Sequence, residues 1–146
     1  MASGCDLDKV EAASLNKGVP SRLRSNPPFF LSVSIQYKVT EAEGDRGPWK
    51  VSTAAYFYEI QEKERCELLS YHWHPNVGRS YPHLHIGAGS GVTQILAKVH
   101  VPTRRISLEE VLRFAIVELK VRPLRRDWES VLEATQARFE KFRTWG

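Results

Sequence analysis

The sequence predicts an α+β domain in which an antiparallel sheet of about five strands packs against two C-terminal helices. Three observations carry that expectation. Between residues 30 and 101 several short runs with strand patterning, most clearly FLSVSIQYKV, ELLSYHWH and HLHI with apolar residues at every second position, are separated by polar turns. The connections between those runs are too short to hold a crossover helix, so neighbouring strands run antiparallel. After residue 106 the period lengthens to that of an amphipathic helix. At 146 residues the chain has the size of one domain, assigned to 29–146, behind a partly irregular N-terminal extension, 1–28.

Taken in order, residues 6–16 are expected to form a short helix ended by Gly18, and VPSRLRSNPP to be irregular because paired prolines remove amide donors. In FLSVSIQYKV, Leu31, Val33, Ile35, Tyr37 and Val39 alternate with Ser32, Ser34, Gln36 and Lys38, the pattern of a half-buried strand. TEAEGDRGP is a polar loop, WKVSTAAYFYEI a second strand rich in aromatic and β-branched residues, and QEKER a charged turn. ELLSYHWH is a third strand with Leu69, Tyr71 and Trp73 on one face and Ser70, His72 and His74 on the other. PNVGRSYP connects it to a short fourth strand, HLHI. GAGSG is then a glycine turn and TQILAKVHV a fifth strand. Ser107-Leu-Glu-Glu110 fits a capping box, and Leu108, Val111, Leu112, Ala115 and Leu119 line one helical face. KVRP ends that helix, and Asp127 is the expected N-cap of a second one carrying Trp128, Val131, Leu132, Phe139 and Phe142.

Composition bounds the function classes. Hydrophobic residues make up 42% and charged residues 26%, which is not the composition of a disordered chain, and no apolar run is long enough for a bilayer. The N-terminus carries acids and no hydrophobic signal core. Two cysteines, Cys5 and Cys66, make no disulfide framework, so a reducing, cytoplasmic location is expected. The net charge of +4 is concentrated after residue 101. There Arg104, Arg105, Arg113, Lys120, Arg122, Arg125, Arg126, Arg138, Lys141 and Arg143 outnumber seven acids. That surface either contacts phosphates or is a solvated helical face.

The chemistry-bearing feature is YHWHPNVGRSYPHLHIGAG, which holds four of the five histidines as two His-x-His pairs, with His100 shortly after. On a strand, residues i and i+2 share a face about 6–7 Å apart. His72 and His74 therefore point one way, as do His83 and His85, and His100 joins Lys98 on the polar side of the last strand. If the helices cover the apolar face, all five imidazoles share the open one. Three readings follow: half-exposed structural histidines; a zinc or similar transition-metal site of His72, His74, His83 and His85; or acid–base chemistry near neutral pH. Against the metal, no acid lies in the 71–101 window to orient the ligands, and Glu59 serves only if its strand neighbours the site. The catalytic reading suits RNA cleavage without a cofactor. The 2′-hydroxyl attacks phosphorus, with His83 and His85 as the first acid–base pair and His72 and His74 as the next. Lys98, Arg79 and Arg104 are the nearby cations, His100 a further contact, and Tyr71, Trp73 and Tyr81 the surfaces for stacking an unpaired base.

Other motifs fail. HLHIG has Gly87 where histidine-triad hydrolases have a third histidine, HVPT is one residue too long for a two-histidine phosphoesterase, and GAGSG lacks the lysine of a phosphate loop. The block YPHLHIG followed by PTRRISLEEVLRF does resemble small TumE-type toxins of prokaryotic toxin–antitoxin pairs, over residues 67–120. The resemblance implies a sheet-plus-helix ribonuclease held in check by a cognate antitoxin protein, with His83 and His85 in the motif and Gly87 as its closing turn. The first forty residues, the tail after 121 and the His72/His74 pair depart from what that family would lead one to expect. The function expected is thus a toxin-like ribonuclease. The alternatives are a metal- or small-anion-binding module and a protein-interaction domain with structural histidines.

Overall fold

A computed structural model describes residues 7–44, 47–63, 66–77, 80–88, 91, 98–142 and 144–145. Strands β1 (Glu11–Ser14), β2 (Ser21–Arg22), β3 (Phe30–Glu41), β4 (Trp49–Lys63), β5 (Cys66–Trp73), β6 (His83–Ile86) and β7 (His100–Pro102) precede helices α1 (Leu108–Val117) and α2 (Trp128–Phe142), and β8 (Thr144–Trp145) closes the series. The sheet runs β1-β3-β4-β5-β6-β7, with β2 also beside β3 and β8 beside β4. Every pairing is antiparallel except the short one between β4 and β8.

Register turns the alternation of each strand into rows across the sheet. Leu31, Ile60, Leu69 and Ile86 form one row, and Val33, Tyr58, Tyr71, Leu84 and Val101 another. Both lie on the face that α1 covers with Val111 and Ala115, in a core shared with Tyr56, Trp73 and Val121. Each large apolar side chain fully buried there contributes about 1.5–3 kcal/mol. The capping box forms as expected: the Ser107 hydroxyl accepts from the Glu110 amide while the Glu110 carboxylate accepts from the Ser107 amide. Just before it, the Ile106 amide donates to the Tyr56 hydroxyl at 3.0 Å, joining the helix start to the sheet. α2 lies against α1, where Arg113 meets Glu129 at 3.7 Å and overlies Trp128. Asp127 precedes α2 and its carbonyl accepts from the Val131 amide, but its carboxylate is held by Arg125. No described helix is long and apolar enough to cross a membrane.

Three local expectations change. Residues 11–14 are not helical: EAAS pairs with β3 as an edge strand, because the backbone groups of β3 bond it and override its poor strand propensity. A 3-10 segment, Leu15–Gly18, leads on to β2, so the segment before residue 29 contributes two strands to the sheet. The charged turn begins later than expected, since β4 continues to Lys63. Of the expected strand 93–101 the described part is β7, which starts at His100; residues 92–97 lie outside the described residues.

Candidate functional site

The opposite face carries two polar rows in register. One is Ser32, Glu59, Ser70, His85 and His100; the other is Ser34, Phe57, His72, His83 and Pro102. The histidines of β5, β6 and β7 are therefore cross-strand neighbours, and His74 joins them just past the end of β5. Ring centroids stand 5.4 Å apart for His72–His83, 5.6 Å for His74–His83, 4.9 Å for His83–His100 and 5.4 Å for His85–His100. All five rings form one contiguous cluster.

The cluster is not uniformly open. His83, at its centre, is 2% exposed, walled by His72, His74, Tyr81 and His100. His72, His74, His85 and His100 are half-buried. The expectation that His83 and His85 act as a matched acid–base pair on solvent is corrected accordingly: His83 is enclosed by its neighbours' rings. Its Nδ1 lies 3.0 Å from the Tyr81 carbonyl, which only accepts, so the neutral ring carries its proton on Nδ1.

Glu67 organises the rest. Its Oε1 accepts from His85 Nδ1 at 3.0 Å and from the hydroxyl of the fully buried Ser70. With that proton given to the carboxylate, Ser70 Oγ accepts from His72 Nε2 at 2.7 Å. One carboxylate oxygen thus sets the ring orientation of two histidines on different strands and leaves the His85 Nε2 lone pair free of that bond. His72 is pushed down to about 4, first by burial and then by the neighbouring His83 ring, so it is neutral at physiological pH.

Strict alternation along β5 would send Glu67 to the core face with Leu69 and Tyr71. A bulge prevents this: Ile60 pairs with Leu69 but Gln61 pairs with Glu67, so Leu68 is the extra residue and Glu67 turns to the histidine face. Leu68 and Leu69 both pack on the core. Gly87 secures the bulge, its amide donating to the Leu68 carbonyl at 2.9 Å. A Cβ at Gly87 would overlap the backbone carbonyl of Glu67, so no other residue fits without moving that strand.

The remaining candidates separate. Trp73 is 2% exposed, with its indole N–H on the Ser80 carbonyl and the Arg105 guanidinium 3.7 Å from its ring centre, so it offers no surface for a base; this corrects its assignment. Tyr71 packs against the core as well. Tyr81 is 37% exposed and meets His83 edge-on. Arg104 pairs with Glu110 at the start of α1. Lys98 is exposed ahead of β7, and Arg79 lies outside the described residues.

Sequence reasoning missed a groove at the His74 end of the cluster, lined by Gln36, Lys38, Thr53, His74 and Asn76. Lys38 reads in the sequence as an ordinary polar alternate of β3; only the sheet register brings it near a histidine two strands on. Among the described residues no three His, Cys, Asp or Glu side chains converge to hold a metal ion as they stand. Compared with known proteins, the chain matches no family model, no curated protein and no solved structure.

Proposed function

We propose that this protein is a histidine-dependent ribonuclease that cleaves RNA phosphodiesters by attack of the 2′-hydroxyl on the adjacent phosphorus. The observation that carries the reading is the Glu67–His85 pair set into a cluster of four further imidazoles. A carboxylate on Nδ1 orients the ring and stabilises the imidazolium formed when Nε2 takes a proton, which suits His85 to the role of general base. His74 lies on the other side of the His72–His83 pair, because the antiparallel register carries β5 and β6 past one another in opposite directions. A half-buried imidazole there can protonate the leaving oxygen on the far side of phosphorus. Lys38, in the groove beside His74, supplies the cation for the phosphate. His72, held neutral, and His83, enclosed, position the other rings rather than exchange protons with substrate. His100, in register with His85, flanks the base.

The toxin-like role follows from the resemblance of YPHLHIG and PTRRISLEEVLRF to TumE-type toxins, with a cognate antitoxin as the partner we assign; the cytoplasmic location follows from the two cysteines, which make no disulfide framework. The Gly87 of that motif has a structural reason here, since it admits Glu67 to the site.

The test is degradation of a single-stranded RNA by wild type, His85→Ala and Glu67→Gln. His85→Ala should lower the rate by about 10²–10⁴-fold. Glu67→Gln keeps the shape but loses the charge, and should cost about 10-fold or more with little change in thermal midpoint. Equal rates in all three proteins would overturn the assignment. Stoichiometric zinc in protein purified without chelator, bound through these histidines, would replace it with a metal-binding role.

A further inference from the structure

The polar rows continue past the histidines onto β3 and β4, and there they form a second groove. Its floor is Ser32, Ser34, Phe57, Glu59 and Gln61; Gly18 and Pro20, from the excursion between β1 and β2, stand at its edge. The groove adjoins the histidine cluster directly. Phe57 meets His72 edge-on at 4.6 Å, and Glu59 is the register neighbour of Ser70, which carries the Glu67–His72 link.

Its chemistry differs from that of the cluster. Glu59 is half-buried and, among the described residues, takes part in none of the ion pairs. Gln61 is 6% exposed, and its buried Oε1 meets no hydrogen-bond donor among the described residues. A half-buried carboxylate with no cation beside it is suited to a ligand that brings donors with it. A phosphate brings none and is repelled by Glu59. A nucleobase can bring them, and the four bases differ in this respect. Guanine presents two adjacent N–H groups, N1–H and N2–H, on its Watson–Crick edge. Adenine and cytosine each set an amino group beside a ring acceptor, and uracil has one N–H between two carbonyls. Only guanine meets both oxygens of one carboxylate with donors.

We propose that this groove is the base pocket of the enzyme and selects guanine, with the two carboxylate oxygens of Glu59 accepting from N1–H and N2–H. The proposal rests on the ribonuclease reading for its place in the reaction. Two strand spacings of about 4.8 Å separate Glu59 on β4 from His85 on β6, roughly 10 Å in all. That matches the reach from the outer edge of a base to its own phosphate, so a guanosine seated here places its 3′-phosphate over the histidines. Cleavage then falls on the 3′ side of guanine, and the excursion between β1 and β2 is the wall that confines the base.

Binding of 3′-GMP, 3′-AMP, 3′-CMP and 3′-UMP to the full chain, measured by calorimetry, tests the pocket apart from the chemistry. Wild type should bind 3′-GMP at least about tenfold more tightly than the others. Glu59→Gln, which keeps the side-chain shape, should remove that preference by lowering 3′-GMP affinity at least about tenfold, with the thermal midpoint unchanged. In parallel, oligonucleotides with and without a single guanosine are cut by wild type and His85→Ala. Cleavage lost in His85→Ala but indifferent to guanine, or a guanine preference that survives Glu59→Gln, overturns the pocket and leaves the ribonuclease reading intact. Glu59-dependent binding of 3′-GMP without cleavage of any RNA upholds the pocket and removes the ribonuclease.

Discussion

The two faces of this sheet are built from the same strands in the same register, yet they are held together by different physics. On one, Leu31, Tyr58, Ile60, Tyr71 and Trp73 pack under α1 and lose water. On the other, Ser70, His72, His83, His85 and Glu67 are linked by hydrogen bonds and ring edges, and part of that surface stays wet. Packing tolerates exchange of one apolar group for another of like volume. A hydrogen-bonded cluster does not, because each member fixes the proton position of the next. The difference should appear as a split between stability and activity.

The widest split is between Ile60→Ala and His85→Ala. Ile60 is 0% exposed and central to the core rows, so its truncation should cost about 2–5 kcal/mol of stability. The fraction that remains folded should cleave RNA at the wild-type rate per molecule. His85→Ala should do the reverse, with a near-normal urea midpoint and the activity gone. Parallel losses of both properties in both variants would mean that the two faces are not separable.

That contrast also shows what the sequence made legible. Alternation in ELLSYHWH and HLHI placed the histidines on a shared face, β6 starts and ends where its pattern says, and Ser107–Glu110 announced α1. These are local signals, each contained in a few consecutive residues. Glu67 was invisible because a bulge at Leu68 reverses its direction, and bulges arise from how two strands pair. Lys38 was invisible as a site residue for a related reason, and Glu59 could be named only on condition that its strand neighbours the site: register, not spacing, carries β3 and β4 alongside β5. β1 was misassigned because EAAS is a strand only by virtue of the edge it borders. The burial of His83 followed from five rings crowding one patch, which no single strand pattern contains.

The junction between the faces is Gly87, which sits in a glycine-rich stretch that reads as a plain turn. Gly87→Ala should cost about 2–4 kcal/mol, since the added methyl meets backbone and the strand must move. It should also lower activity further than Ile60→Ala does at matched folded fraction, because the displaced strand carries Glu67. An alanine variant with wild-type stability and rate would show that the close approach of β6 to Glu67 is not needed for the site.

The smallest expected effect concerns acidity. An imidazole in the unfolded chain titrates near 6.5, whereas burial and the His83 ring hold His72 down to about 4 in the fold. His74 and His85 also push His72 down, and Glu67 opposes them. Between those two values the unfolded chain binds a proton that the folded one refuses. The His72 contribution is therefore intact above about pH 6.5 and drains away as the pH falls toward 4. A fully shifted group gives a slope of about 1.4 kcal/mol per pH unit; for a half-buried ring, solvent screening reduces this to below about 1 kcal/mol. At this chain length 1 kcal/mol moves the thermal midpoint by about 3 °C. His72→Gln retains a donor for Ser70 Oγ and does not titrate. The gap in midpoint between wild type and His72→Gln should be widest at pH 7.5 and should narrow steadily to pH 4.5. Parallel profiles would show that the ring reaches water freely, and that the histidine face is an ordinary wet surface rather than a half-closed one.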